Sequence, residues 1–182
     1  MASLIPLIND LLPMIIPSSA SITKASTLRA SDATLQPGSA NEADAVVSKS
    51  DKLCASVLTL NAHATSAIRH HGEQGQNQTP SHLPHLQRWK PLTAPQQRCV
   101  SNVCQDTIVY MASGTGVLLV SPGAGQDVKR HEMSTGDFAF IPSWTEHQML
   151  NESDQDTVWV ITRSGSQPVK VGLTDWGGDE AK

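Results

Sequence analysis

The chain reads as an all-β domain, a sandwich or barrel of short strands, and three observations predict it. Runs of four to eight residues rich in β-branched side chains recur along it, such as Thr107–Met111, Gly116–Val120 and Thr157–Thr162. Glycine-bearing turns such as Ser113-Gly114-Thr115-Gly116 and Pro122-Gly123-Ala124-Gly125 separate several of them. After residue 20 no segment carries a convincing helical period.

In chain order, residues 1–51 read as an N-terminal arm, partly disordered. Its opening, Met1 to Ile16, is apolar but lacks a basic n-region and is broken by Asp10, Pro6 and Pro13. A frayed or packing arm fits that pattern better than a secretory signal. Residues 17–51 are rich in Ser, Ala and Asp and suit a loop with short extended pieces. The barrel is expected over residues 52–172, beginning with the alternating run from Leu53 to Leu60. Further strands are expected at Asp137–Ile141 and Val169–Val171, and residues 173–182 form a tail. Phe138 and Phe140 share one face of their strand, read as half-buried, and Phe140, Trp144 and Trp159 as core or pocket wall.

Composition narrows the function. A net charge of -4 argues against a nucleic-acid surface. No apolar run reaches the length of a membrane span. Cys54, Cys99 and Cys104 form neither a disulfide framework nor a C-x2-C zinc pair, which points to a reducing, cytoplasmic location. His63, His82, His85 and His131 read as surface or satisfied core residues.

Residues 75–105 interrupt the pattern. The block holds six Gln, four Pro and no Asp or Glu, and Arg88, Lys90 and Arg98 give it a charge of +3. A structureless loop of this length is uncommon inside a compact domain. Without it, Arg69-His70-His71-Gly72-Glu73-Gln74 runs directly into Asp106-Thr107-Ile108-Val109-Tyr110. The block therefore reads as a translated intron, with a long surface insertion as the competing reading.

The run Gly136 to Asn151 has the spacing G-x5-P-x4-H-x3-N. It resembles the second signature motif of the cupin family, and the joined run around His71 resembles the first. One departure in motif two is Trp144, where the family usually has Gly. The resemblance implies a single cupin β-barrel of the jelly-roll type, with His147 as a metal ligand. It places position 69 and His71 as an inward H-x-H pair, Asp106 as the acidic ligand, and His147 opposite them. Here Arg69 replaces the first histidine, and His70 could stand in only if the strand register shifted. Arg69 could instead hold an anionic substrate, and Glu73 could act as a general acid or base, although a solvated turn carboxylate is the plainer reading. The ligands His70, His71, Asp106 and His147 suit a divalent Fe, Mn, Ni, Cu or Zn ion, without a choice among them.

The strings H-G-E-Q-D-T-I-V-Y and P-x-W-T-E-H-Q look like those of small single-domain cupins of filamentous fungi. Some of those are described as cupin-type oxidoreductases of polyketide pathways. The resemblance thus implies a metal-dependent oxidoreductase acting on a small aromatic, salicylaldehyde-type intermediate. A cupin decarboxylase or isomerase is the alternative, as is a non-catalytic, metal-poor binding cupin. The expected partner is a small molecule, with a homodimer left open.

Overall fold

A computed structural model describes residues 20–28, 38–72, 104–121 and 126–181. A one-turn helix α1 (Ala25–Leu28) precedes ten strands: β1 (Ala40–Val46), β2 (Leu53–Leu60), β3 (Arg69–His70), β4 (Thr107–Ser113), β5 (Thr115–Ser121), β6 (Lys129–Ser134), β7 (Phe138–Ile141), β8 (Glu146–Leu150), β9 (Thr157–Ser164) and β10 (Val171–Gly172). They form two five-stranded sheets, ordered β1-β2-β9-β4-β7 and β10-β3-β8-β5-β6, and the pairings are antiparallel. This is the two-sheet jelly roll expected of a cupin.

The alternation of β2 and β9 sends Leu58, Leu60, Trp159 and Ile161 inward, where they meet Val109, Met111 and Met149 from the other strands. Trp159 is fully buried, and its indole N–H donates to Thr157 Oγ1 (3.0 Å), so it carries no unpaired polar atom. Gly116 lets β5 approach this ring, because a Cβ there would lie 2.5 Å from Trp159 Cζ2. Asn151, the last residue of the motif, is a buried clasp. Its amide donates to the carbonyls of Leu60, Asn61 and Gln155, and its Oδ1 accepts from Ser153.

Several expectations change here. The first sheet begins at Ala40, within the range read as an arm, and β1 brings Glu42 into the interior. β6 escaped notice because Lys129, Arg130, His131 and Glu132 show no apolar alternation; it is an exposed edge strand. β7 is half-buried as expected, but through Ala139 and Ile141: Phe138 and Phe140 stand 70% and 63% exposed on the outer side of their sheet, so Phe140 is neither core nor pocket wall. Cys104 is disulfide-bonded while Cys54 is a free buried thiol.

Residues 73–103 lie outside the described residues, as does most of the interrupting block. The described residues on either side meet: Gly72 and Cys104 form an antiparallel bridge, and Gln105 N donates to His71 O (2.8 Å). The chain thus leaves and rejoins the barrel at one point. Buried Gln105 then locks the loop after β9, donating to Ser164 O (2.5 Å) and Gln167 O (2.6 Å) and accepting from Val169 N (2.6 Å).

Deleting residues 75–105 leaves Gln74 directly before Asp106, the place Gln105 holds now. The shortened chain should therefore fold with an unchanged far-ultraviolet spectrum. Gln74→Ala should lower its melting temperature, because the loop carbonyls and Val169 N lose their partner, at about 1–3 kcal/mol. Thermal denaturation of the two shortened chains checks this; equal melting points would mean that Gln74 does not replace Gln105.

Candidate functional site

The site grows from β3 and β8, which pair with Arg69 opposite His147. Side chains alternate along the chain from Arg69, so Arg69 and His71 turn into the barrel while His70 turns the other way. His71 and His147, 2% and 1% exposed, meet there with ring centroids 4.6 Å apart and planes tilted by 39°. His71 Nδ1 bonds Val169 O (2.7 Å) and His147 Nδ1 bonds Thr145 O (3.0 Å). A carbonyl only accepts, so each Nδ1 carries the proton and each Nε2 keeps a lone pair. Both Nε2 atoms are buried without a partner.

Burial pushes both rings toward the neutral form. The pKa of His71 falls to about 2, from burial first and then from His147 and the Arg163 guanidinium. That of His147 falls to about 4, from burial first, with Arg69 and Arg163 adding to it against the Thr145 carbonyl bond.

Those guanidiniums belong to a buried ion cluster around Glu42. Its carboxylate meets Arg69 (2.6 Å), Arg163 (3.1 Å) and Lys170 (3.0 Å), and accepts from Ser56 Oγ (2.7 Å). Burial alone would raise the Glu42 pKa, but Arg163, Ser56, Arg69 and Lys170 hold it far below the usual carboxylate range. Arg163 also donates to Ser56 Oγ (2.7 Å), yet its Nε has no partner. A cavity of about 10 Å³ lies against Arg69, His147 and Arg163, with Leu58, Met149 and Ile161 as its apolar wall.

The other sequence-predicted residues are placed elsewhere. His70 is buried against Trp144, ring centroids 5.1 Å apart, and its Nδ1 accepts from Gly72 N (3.2 Å). Asp106 is exposed and its Oδ1 accepts from Ser143 N (3.2 Å), so it braces the turn before β8 rather than facing the histidines. Glu73 lies outside the described residues. Arg69 lines the cavity, but one of its nitrogens is committed to Glu42. Sequence reasoning missed Glu42, Arg163, Ser56 and Gln105. Arg163 and Ser56 had a signal, since each sits at an inward position in line with buried apolar residues, Leu58 and Leu60 on β2 and Trp159 and Ile161 on β9.

Do these residues hold a metal? Two neutral imidazoles, each oriented by a backbone carbonyl, match half of a metal site. The rest is missing: among the described residues no three His, Cys, Asp or Glu come together. Glu42, the carboxylate nearest in kind, is taken by three cations, and Arg69 and Arg163 oppose a further positive charge. The described residues do not fit a firmly held divalent ion.

The motif-two turn carries strain. Thr145 N bonds Pro142 O (3.2 Å), so Ser143 and Trp144 are its central residues, and Trp144 has φ 67. A positive φ at the second central residue is the position that asks for glycine. The tryptophan is held by its contacts: the ring lies over Gly72 and beside His70, and Nε1 donates to Cys104 Sγ (3.0 Å). A Cβ on Gly72 would collide with the indole.

Gly72→Ala should therefore destabilise the chain by about 2 kcal/mol or more, as overpacking does. Most of that loss should vanish in a Trp144→Gly background, where the colliding ring is gone. A double-mutant cycle by urea denaturation measures the coupling; additive effects would show that the ring is not the obstacle.

Both histidines have folded pKa values below the unfolded 6.5. Between those values the unfolded chain binds more protons, so stability is complete near neutral pH and falls as pH drops from about 7 toward 4. His147→Asn should flatten that slope, read as melting temperature against pH, while leaving the neutral-pH plateau the less affected part.

Residues 105–163 match the family described as Cupin domain. No curated protein sequence matches the chain. Among solved structures, the oxalate decarboxylase formate complex of Lactobacillus farciminis is similar at a TM-score of 0.52 and 11% identity, over 74% of this chain and 31% of that one. A recombinant oxalate oxidase in complex with glycolate gives 0.57 at 11% identity, over 88% of this chain and 67% of that one. KdgF from a Halomonas species gives 0.50 at 14% identity, over 81% and 94%. The chain thus spans about a third of the decarboxylase it resembles. Two antiparallel sheets closed around a histidine pair show the cupin jelly-roll fold, and the stretch from β4 to β9 within it is similar to the Cupin domain family.

Proposed function

We propose that the barrel interior receives the acidic oxygen end of a small compound, a carboxylic acid or phenol of the salicylaldehyde type, at His71, His147 and Arg163. One observation carries this reading: His71 Nε2, His147 Nε2 and Arg163 Nε are buried polar atoms without partners. Orphaned buried groups are costly and concentrate where a ligand belongs. Each neutral imidazole nitrogen accepts a hydrogen bond, and the guanidinium N–H donates one. The matching ligand offers an O–H and a second oxygen side by side, as a carboxylic acid or an ortho-hydroxy carbonyl does. The cavity at Arg69, His147 and Arg163 admits about one water-sized group, the size of a single ligand oxygen. Two proteins of this fold have solved complexes with formate and with glycolate, both small carboxylates.

Of the activities the sequence resemblance implies, metal-poor binding suits these residues best. Imidazoles with pKa values of about 2 and about 4 are poor proton acceptors near neutrality, which disfavours an isomerase that relies on them as bases. An oxidoreductase needs an electron acceptor, and the described donor set does not complete a metal site for one.

Salicylate and salicylaldehyde should raise the melting temperature of the full chain saturably, and toluene should not. His147→Ala should weaken salicylate binding by about tenfold or more, the loss of one buried hydrogen-bond partner. Protein from metal-supplemented medium should carry well under one metal ion per chain. Indifference to every acid tested removes the ligand reading, whereas a full equivalent of metal restores the metalloenzyme reading.

A further inference from the structure

Thr107 opens β4 with its side chain in the barrel interior. It is fully buried and shares its side of the strand with Val109 and Met111, which belong to the core. The ladders place it directly opposite Arg163 on β9 and Ile141 on β7. Side chains opposed in this way have Cβ atoms about 4.5–5.5 Å apart. Two residues earlier, Gln105 N donates to His71 O (2.8 Å). The start of β4 is therefore tied to the residue that carries one imidazole of the site, and Thr107 enters the interior beside its guanidinium.

The hydroxyl is unmatched. Thr107 Oγ1 is buried without a hydrogen-bond partner among the described residues, as are His71 Nε2, His147 Nε2 and Arg163 Nε. Arg163 directs its other nitrogens away from β4. Its Nη1 donates to Ser56 Oγ on β2 (2.7 Å) and its Nη2 to Glu42 on β1 (3.1 Å), whereas β4 is the opposite neighbour of β9. Threonine is a costly choice for a plain wall position. Valine has the same shape and would continue the apolar stripe of Val109 and Met111, while a buried hydroxyl with no partner loses stability. A group of this kind calls for an explanation such as a bound ligand.

We propose that Thr107 is a specificity-determining residue of the ligand site, its hydroxyl meeting the second oxygen of a two-oxygen ligand. This rests on the reading of that site as a receptor for a small acid or phenol. The neutral imidazoles only accept and the guanidinium only donates, but a hydroxyl does both. The cavity at Arg69, His147 and Arg163 admits about one ligand oxygen, so an acid with two calls on a further polar group. Thr107 Oγ1 supplies it, as acceptor from a ligand O–H or as donor to a carboxylate or carbonyl oxygen. A site built to pair a second oxygen discriminates against the analogue that lacks it. Thr107 thereby separates salicylate, whose second oxygen pairs the hydroxyl, from phenol, which leaves it as unmatched as before.

Thr107→Val and Thr107→Ser in the full chain test this, by thermal denaturation without ligand and by titration calorimetry with salicylate and with phenol. The valine variant should melt no lower than the wild type, and up to a few degrees higher, because an unpaired buried hydroxyl is gone. It should bind salicylate about tenfold more weakly and phenol within about twofold of the wild type. Thr107→Ser keeps the hydroxyl and should hold salicylate within about threefold. A valine variant that melts several degrees lower would mean that the hydroxyl is already bonded in the free protein, which overturns the proposal. An equal loss for both ligands overturns it as well. A wild type that binds neither compound removes the ligand reading, and this inference with it. A wild type that binds salicylate, with a valine variant that binds it as tightly, removes this inference alone.

Discussion

Glu42 is the residue on which the interior depends. It sits on β1, reaches Ser56 on β2 and Arg163 on β9, and crosses to Arg69 on β3 in the other sheet. Lys170 closes the group from the loop before β10 and also approaches Asp44 (3.6 Å). Arg163 is 1% exposed, and a guanidinium that deep is tolerable only beside a carboxylate. Such a cluster adds little net stability compared with an apolar core, but losing its one shared anion costs about 3–5 kcal/mol because several charges are left unpaired. Its more specific effect is geometric, since one carboxylate fixes the relative position of four strands from both sheets.

The same cluster sets the chemistry of the histidine pair. With one carboxylate facing three cations, the interior carries a surplus of positive charge next to His71 and His147. That surplus, added to burial, keeps both imidazoles neutral. It also works against a divalent cation and in favour of an acidic or anionic guest. Arg69 thus brings a positive charge to the cavity wall.

A chain of backbone contacts connects this pair to the seam where the interrupting block rejoins the barrel. Gln105 holds Val169 N, Val169 O holds His71 Nδ1, and His71 O receives Gln105 N. On the far side of the strand, Trp144 covers Gly72 and His70 and contacts Cys104. Its left-handed backbone costs on the order of 1–2 kcal/mol, and the indole contacts offset it. The tryptophan at the family's glycine position and the bare glycine at position 72 are therefore one device, readable only as a pair.

The sequence by itself determined the elements whose signals are local. Alternation marked β2 and β7, runs of β-branched residues between turn glycines marked β4, β5 and β9, and the G-x5-P-x4-H-x3-N spacing placed a turn, a strand and His147 in order. Alternation also implied that Arg69 and His71 share a side and that His70 does not. Tertiary structure decided what depends on distant partners. Glu42 lies in a stretch that looks like an arm, and nothing nearby reveals the arginine 121 residues away that it neutralises. Resemblance implies Asp106 as a ligand, but in the fold it is exposed and accepts a hydrogen bond from Ser143 N. Phe138 and Phe140 look half-buried by pattern, but alternation only says that two residues share a face. Which of a sheet's two faces meets the core is fixed by the sheet that packs against it, and no stretch of β7 encodes that alone.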